Sequence, residues 1–375
     1  MGEGVSNQIL EKKMAKVTLQ DDYLIQYTSG TTSAPKGAVL YQYGVMNTAN
    51  AYAHLLHLNE NDCTCVPLPL FHCFGNILTL LGGLISGSTT IYLSYFSPRQ
   101  MLTIMQEEKC TCMMGVPTMY FSMLSTPDFE KYDLRSFVKA GIGGSICPYE
   151  LCKRISDGFH INGLIIGYGL SEAASLCTLS DIDEKEEQRI GSVGKALPGL
   201  EVSLTDDSGK ENPLATEGEL LIRGYGVMKH YYKDAEHTGQ ALDQDGWLHS
   251  GDLGRRNKDG TFQVIGRIKD IIIKGGENIS PSNIEERLLT MDNVQECQCV
   301  GVPDKKYGET VCACIISKNG DEITLNEIQN YLKNKISDYK IPDYVLMMES
   351  FPINSSGKII KADLTETAKS LLNLG

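Results

Sequence analysis

The sequence predicts an α/β fold in which a large N-terminal domain of βα layers with a small β-barrel subdomain precedes a compact α+β C-terminal domain. The first supporting observation is that, through the first half of the chain, short apolar runs ending in glycine-rich loops alternate with helical segments. This alternation is typical of a sheet with helices on its faces. The second is a change from about Gly191 to short alternating strands separated by turn signals, typical of a small antiparallel barrel or sandwich.

The boundaries follow from these changes in pattern. We predict an α/β part over residues 1–190, a barrel-like subdomain over 191–266 and a C-terminal α+β domain over 267–375. A helix is predicted at PRQMLTIMQEEK, and a strand at TCMMGVP that ends at Pro117. Further strands are predicted at DYLIQYT, TCVPLPLF, SFVKAGI and GLIIGY.

Composition excludes several classes of function. The chain has 375 residues, 42% of them hydrophobic, and a formal net charge of −13. Phosphate neutralisation needs a basic face, so we expect no nucleic-acid partner. The most apolar stretch, Asn76 to Leu93, is interrupted by glycines and is not expected to span a bilayer. The start lacks a secretory signal, and its match to a myristoylation pattern through Gly2 and Ser6 is interpreted as coincidence.

The cysteines indicate packing rather than metal binding. Eight of the 12 cysteines fall in C-x-C pairs inside apolar, strand-like segments. This spacing places both thiols on one face of a strand, where cysteine packs as a small hydrophobe. Reduced thiols and no secretory signal predict a cytoplasmic protein. The sequence is compatible with a homodimer but does not fix the oligomeric state.

The most distinctive local motif is the segment Tyr27–Gly37, which directly follows a predicted strand. It contains five serine and threonine side chains, glycines at positions 30 and 37, and Lys36. Backbone amides and hydroxyls can donate to phosphate oxygens while a lysine supplies charge, so we predict a polyphosphate-binding loop. It is not a Walker A loop, because Pro35 precedes the lysine and Gly37 follows it.

Four further motifs follow in order. Their segments are Gly167–Glu172, Trp247–Gly254, Gly266–Asp270 with Lys274–Asn278, and Asn354–Lys358. In the first of them, Tyr168 offers a ring for stacking and Glu172 an oxygen ligand for Mg²⁺. Asp252, in a glycine-flanked turn, can accept both hydroxyls of a ribose, although a plain Asx-turn is an equally natural interpretation.

Together and in this order, the five motifs resemble the adenylate-forming superfamily of acyl-CoA synthetases, peptide-synthetase adenylation domains and firefly luciferase. Segments such as PLPLFHCFGN, GYGVMKHYY and GGENISPSNIEE are most similar to medium-chain fatty acyl-CoA synthetases. The resemblance implies an AMP-forming acid–CoA ligase that uses ATP, Mg²⁺ and coenzyme A, with a fatty or medium-chain carboxylic acid as substrate. Two alternatives stay open: an adenylating enzyme that loads a carrier protein, and a truncated nucleotide-binding chain without turnover.

The resemblance also implies roles for individual residues. The β- and γ-phosphates of ATP would be held by Thr28, Ser29, Gly30, Thr31, Thr32 and Lys36. The adenine would be framed by Gly144, Ser145, Gly167, Tyr168 and Gly169. The α-phosphate and Mg²⁺ would lie by Ser171 and Glu172, with Thr28 as a second metal ligand, and the ribose by Asp252 and Arg267. The catalytic residues would be Lys358, Glu172 and His72, the last at the mouth of the acyl pocket. The C-terminal domain would be a mobile lid. Once this lid has turned about Asp270, the pantetheine would face Lys274, Gly275, Gly276 and Glu277.

The chain departs from the superfamily pattern at three places. Ser33 replaces a usual glycine of the phosphate loop, and Ser171 replaces a usual threonine before the metal-binding Glu172. Both residues keep small or hydroxyl chemistry, so we expect activity to persist. Only 26 residues precede Tyr27, whereas superfamily members carry a long segment there. Compared with the superfamily we therefore expect an incomplete N-terminal domain, truncated at its start, that lacks strands and exposes sheet edges and apolar surface.

Overall fold

The computed structural model describes residues 4–28, 35–354 and 357–374. The helices are α1 (Asn7–Met14), α2 (Gln42–Leu55), α3 (Gly82–Ser86), α4 (Pro98–Glu107), α5 (Pro117–Leu124), α6 (Tyr149–Phe159), α7 (Glu186–Ile190), α8 (Ala235–Ala241), α9 (Pro281–Leu288), α10 (Leu325–Leu332) and α11 (Lys361–Leu372). A π-helix covers Phe74–Leu81, and 3₁₀ turns cover Phe129–Lys131, Ser171–Ala173, Ile268–Asp270 and Asp338–Lys340.

The strands pair into four sheets. They are β1 (Asp22–Thr28), β2 (Lys36–Tyr41), β3 (Cys63–Val66), β4 (Thr89–Tyr92), β5 (Cys112–Gly115), β6 (Lys139–Ile142), β7 (Gly163–Tyr168), β8 (Thr178–Leu179), β9 (Lys195–Ala196), β10 (Leu200–Thr205), β11 (Glu211–Asn212), β12 (Glu217–Gly224), β13 (His230–Tyr231), β14 (Leu248–Arg256), β15 (Phe262–Arg267), β16 (Ile272–Lys274), β17 (Glu277–Ile279), β18 (Val294–Asp304), β19 (Gly308–Ser317) and β20 (Tyr344–Met347).

The largest sheet confirms the α/β prediction. Its order is β4-β3-β5-β6-β7-β8-β9, parallel from β4 to β7 and antiparallel at β8 and β9. The predicted helix at PRQMLTIMQEEK is α4. Pro117 has a different role from the one expected: β5 already ends at Gly115, and Pro117 is the first residue of α5. Proline suits a first helical turn because its missing N–H has no intrahelical partner there.

The phosphate-loop motif starts and ends in an antiparallel hairpin. Strand β1 pairs with β2 so that Thr28 lies opposite Lys36, and β13 adds a third strand on the other side of β2. Both β1 and β2 contact the 3₁₀ turn Ser171–Ala173. The predicted loop residues Ser29, Gly30, Thr31 and Thr32, and the variant Ser33, lie outside the described residues.

The second half of the chain forms two further sheets. Strands β11-β10-β12-β14-β15 make the antiparallel sheet expected there. Within the described residues β11 and β15 are the two outer strands of this sheet. The C-terminal sheet has the order β17-β16-β19-β18 with β20 parallel to β19, and helices α9 and α11 contact β18.

The cysteine prediction holds for most of the thiols. All 12 cysteines are free and ten are buried, whereas Cys63 and Cys147 are partly exposed. In the described residues no group of three or more His, Cys, Asp or Glu side chains is arranged to hold a metal. None of the helices described is both long and apolar enough to cross a bilayer.

Candidate active site

A cleft opens at the carboxyl ends of the parallel strands. In open α/β sheets this edge is where ligands bind. The space, counted with the part open to solvent at its mouth, is about 460 Å³. It is lined by residues from separate segments: His72, Cys73, Phe74, Leu78, Met114, Ile142, Gly143, Gly144, Gly167, Gly169, Leu170, Ser171, Ser175, Leu176, Leu179 and Lys358.

Two glycines let backbone and side chains approach closely in this cleft. Gly144 follows β6 with a φ of +83°, and a Cβ atom there would lie 2.9 Å from Cε of Lys358. At Gly169, after β7, a Cβ would lie 2.1 Å from the carbonyl oxygen of Ser175. Neither position accepts a side chain without rearrangement. The glycine-rich ends of neighbouring strands therefore form one wall of the cleft.

One cluster joins three of the predicted nucleotide-binding residues. The hydroxyl of Tyr168 donates to Oδ2 of Asp252 at 2.9 Å, and Nε of Arg267 lies 3.1 Å from Oδ1 of the same carboxylate. Burial raises the pKa of Asp252, while Arg267 and the tyrosine hydroxyl oppose that shift. The carboxylate is therefore held in a fixed orientation by two donors, one of which carries a positive charge.

A second cluster joins the ends of the phosphate-loop hairpin to the Ser171–Ala173 turn. The hydroxyl of Tyr231 donates to Oε1 of Glu172 at 2.8 Å, and Nζ of Lys36 lies 4.7 Å from the centroid of the Tyr231 ring. The backbone N–H of Met228 donates to the carbonyl of Glu172 at 2.7 Å. The carboxylate of Glu172 and the ammonium of Lys36 therefore both contact the side chain of Tyr231.

Lys358 enters the cleft from the C-terminal part of the chain. Its N–H donates to Oδ1 of Asn354 at 3.0 Å, while its carbonyl accepts from the N–H of Asn354 at 2.9 Å. The hydroxyl of Thr118 at the start of α5 donates to the carbonyl of Gly357 at 3.1 Å and so attaches this turn to the first half of the chain. Burial lowers the pKa of the Lys358 amine, and nearby acidic side chains oppose the shift.

His72 lies beside this lysine with a neutral ring. Its Nδ1 accepts the backbone N–H of Phe74 at 3.1 Å, which leaves the proton on Nε2. Burial, together with the positive charge of Lys358, lowers the pKa of His72 to about 4. A neutral imidazole is therefore fixed where the π-helix Phe74–Leu81 begins, and π-helical turns often occur at functional sites.

Glu172 fits a magnesium ion that is shared with a substrate phosphate. Among the described residues, the only side-chain hydrogen bond to its carboxylate is the one from Tyr231 to Oε1. Oε2 is therefore available as a hard oxygen ligand. Mg²⁺ usually takes one or two carboxylates with phosphate oxygens and water, rather than a cage made of protein alone. Thr28, the other predicted ligand, lies at the end of β1 opposite Lys36.

Some predicted residues lie apart from these clusters. Ser145 is exposed next to Gly144. The segment Lys274–Glu277 forms the turn between β16 and β17, and Lys274 is paired with Asp343 of the C-terminal part. Gly275 and Gly276 occupy that turn with φ of +61° and +89°. In this arrangement the predicted pantetheine-facing segment does not line the cleft, whereas Lys358 does.

Sequence reasoning missed several residues of the site. Tyr231 carried no local signal, since KHYYKD contains two tyrosines of which one is buried and the other 46% exposed. Met114 and Ile142 could have been found, because each lies at the carboxyl end of a parallel strand. Thr118 could not, because its partner is 239 residues away in sequence.

The chain belongs to the AMP-binding enzyme family. The model of that family matches residues 3–232, and the model of the AMP-binding enzyme C-terminal domain matches residues 283–358. Among curated relatives, the chain is 39% identical to the Bacillus subtilis protein YngI, which carries the name of an acyl-CoA synthetase, over 100% of the chain and 68% of YngI. It is 38% identical to human mitochondrial medium-chain acyl-CoA ligase ACSF2, over 96% of the chain and 59% of that protein.

Solved structures agree with this assignment. ATP-bound MatB from Rhodopseudomonas palustris superposes with a TM-score of 0.86 at 28% identity, covering 94% of this chain and 69% of MatB. The anthranilate CoA ligase AuaEII in complex with anthranoyl-AMP gives the same TM-score and identity, covering 95% of this chain and 69% of AuaEII. The chain thus spans roughly 60 to 70% of the length of these relatives.

Proposed function

We propose that the cleft is the active site of an ATP-dependent acid–CoA ligase that forms an acyl-adenylate and then an acyl-CoA, with release of AMP and pyrophosphate. The observation that carries this proposal is the position of Lys358. Its amine, from the last part of the chain, lies over Gly144 in the cleft that also contains Ser171. The Tyr168–Asp252–Arg267 cluster and the Lys36–Tyr231–Glu172 cluster extend from the same β7 segment.

In the first step the carboxylate of the acid attacks the α-phosphorus of ATP, and the bond to the pyrophosphate breaks. Two anions must approach each other, so a cation held between them lowers the barrier. Lys358 is in position to supply this charge, and Lys36 to balance the departing pyrophosphate. Asp252 would accept the ribose hydroxyls while Arg267 holds its carboxylate. Bound Mg²⁺ would add charge neutralisation on the phosphate oxygens next to Glu172.

In the second step the thiol of CoA attacks the acyl carbonyl and AMP leaves. Lys358 now occupies space that the incoming thiol needs, which favours a rotation of the C-terminal part about the Ile268–Asp270 turn. Asp270 would be the hinge. The same rotation would carry the Lys274–Glu277 turn towards the cleft. The separate position of this turn in the present arrangement fits an enzyme that alternates between two active states.

The lining of the cleft supports an apolar acyl substrate. Beyond the glycines, its residues include Phe74, Leu78, Met114, Ile142 and Leu176. In the described part of the chain Lys358 is the only lysine, arginine, aspartate or glutamate of the lining. A fatty or medium-chain acid would place its tail there.

A carrier protein stays an alternative to CoA as the acceptor of the acyl group. A cytoplasmic location, supported by the free thiols, and a homodimer remain part of the proposal.

The test is pyrophosphate release from ATP and Mg²⁺ with C2–C16 and aromatic acids, measured with and without CoA. We expect acid-dependent release, CoA-dependent AMP formation and a loss of more than about 100-fold in Lys358→Ala, as is typical when one preorganised charge is removed. Lys369→Ala, on the outer side of α11, is the matched control and should match wild type. ATP binding without release for any acid would contradict the ligase, and release without a CoA effect would favour the carrier alternative.

A further inference from the structure

Tyr231 is fixed between the two charged ends of the phosphate site by its backbone as well as by its side chain. Strand β13 pairs with β2 so that Tyr231 lies opposite Ala38, next to the hairpin that carries Lys36. The N–H of Tyr231 donates to Oγ1 of Thr238 at 2.9 Å, and its side chain is only 5% exposed. A tyrosine held in this way has little freedom to turn its hydroxyl elsewhere.

The hydroxyl of Tyr231 orients Glu172. The O–H donates to Oε1 at 2.8 Å, and this is the only side-chain donor to that carboxylate among the described residues. A tyrosine hydroxyl can donate whereas an ionised carboxylate can only accept, so Tyr231 supplies the proton of this hydrogen bond. One carboxylate oxygen is therefore occupied by a donor, and the other is left for a cation.

The ring of the same residue separates Glu172 from Lys36. Nζ of Lys36 lies 4.7 Å from the ring centroid, within the range of a cation–π contact. Lys36 and Glu172 make no ion pair in the part of the chain that the structure describes, although both contact Tyr231. A direct pair would neutralise both groups and would remove from the site the charges that a Mg²⁺–triphosphate complex requires.

We infer that Tyr231 is a positioning residue, which aims one oxygen of Glu172 at Mg²⁺ through its hydroxyl and keeps Lys36 available for the phosphates through its ring. The inference rests on the proposed function of the cleft. It predicts that the two parts of the side chain have separable effects. The hydroxyl governs the magnesium dependence of ATP binding, and the ring governs ATP binding whether or not magnesium is present.

The experiment measures equilibrium ATP binding with a Mg²⁺ titration and, separately, in EDTA. In Tyr231→Phe we expect the Mg²⁺ concentration for half-maximal ATP binding to rise about tenfold, as for loss of a hydrogen bond to a charged group. Binding in EDTA should stay within about twofold of wild type. Tyr231→Leu, which also removes the ring, should in addition weaken ATP binding in EDTA by about threefold or more. Tyr232→Phe, at the 46% exposed neighbour, is the matched control and should match wild type.

A double-variant cycle tests the route through the carboxylate. If the hydroxyl acts through Glu172, adding Tyr231→Phe to Glu172→Gln should cause no further loss in the Mg²⁺ titration. An unchanged Mg²⁺ dependence in Tyr231→Phe would overturn the inference, and so would an equal loss with and without Mg²⁺, which indicates only a packing role. If wild type binds ATP with Mg²⁺ but releases no pyrophosphate, the ligase proposal fails while the binding comparison still decides the role of Tyr231. A wild type that binds no ATP would overturn both.

Discussion

Replacing His72 by asparagine should make the free energy of unfolding fall less steeply as the pH is lowered below about 6.5. In the folded protein, burial and Lys358 lower the pKa of His72 to about 4, whereas an unfolded histidine titrates near 6.5. Between these two values the unfolded chain binds the proton and the folded chain does not. The stability linked to His72 is therefore fully present above pH ~6.5 and is lost as the pH falls towards 4.

The size of the effect follows from the same two values. One proton is worth about 1.4 kcal/mol per pH unit, so the whole window corresponds to at most about 3 kcal/mol, and less where solvent reaches the ring. Asparagine offers Oδ1 near the position of Nδ1, so the hydrogen bond from the Phe74 N–H can persist without a titrating group.

Urea unfolding of wild type and His72→Asn at pH 4.5, 5.5, 6.5 and 7.5 measures this difference, because other titrating groups are common to both proteins. We expect the variant to lose less unfolding free energy than wild type between pH 6.5 and 4.5, by about 1 to 2 kcal/mol. His54→Asn, at an exposed position near the end of α2, is the control and should follow wild type. Parallel profiles for wild type and His72→Asn would refute the assignment of a buried, neutral ring.

Three further changes test other parts of the structure. Gly144→Ala places a Cβ on a residue of left-handed conformation, 2.9 Å from Cε of Lys358. The rate of pyrophosphate release should fall by more than about tenfold. An unchanged rate would contradict the close approach of Lys358 to Gly144. Lys361→Met removes the amine that lies 2.9 Å from the buried Glu285 carboxylate. It should lower the free energy of unfolding, measured in urea, by about 3 kcal/mol. A loss below about 1 kcal/mol would show that the pair is solvated. Thr118→Val removes the hydrogen-bond donor to the turn that carries Lys358. It should slow adenylate formation severalfold and leave thioester formation from supplied acyl-adenylate unchanged. Equal slowing of both steps would argue against a contact that is specific to this arrangement.

The local parts of the site could be predicted from the sequence because they depend on short segments. The parallel strands β6 and β7 end in Gly143-Gly144 and Gly167–Gly169, and neighbouring parallel strands end at one edge of a sheet. This rule is enough to predict that the two glycine loops lie together. Strand β1 was likewise predicted, from the apolar run DYLIQYT that precedes the loop, whereas its pairing with β2 was not.

Other features depend on contacts that no short pattern encodes. The assignment of one hydroxyl to Glu172 depends on which of two adjacent tyrosines faces inward. A strand of two residues, β13, has no readable alternation. Its inward residue is fixed by pairing with β2 and by the Met228–Glu172 backbone hydrogen bond.

The position of Lys358 shows why motif order alone could not establish the arrangement of the site. A lysine after a serine-rich turn is compatible with a solvated tail, and its sequence gives no distance to Gly144. The structure places the two close together because the Thr118 hydroxyl, at the start of α5, donates to the carbonyl of Gly357 in this turn and because Gly144 has no Cβ to exclude the lysine chain. Thr118 lies in the helix after β5, and Gly144 lies directly after β6. Lys358 can reach both because β5 and β6 pair in parallel and end at the same edge of the sheet. The fold therefore determines whether this lysine can act in the first chemical step, and the Ile268–Asp270 turn determines whether it can leave before the second.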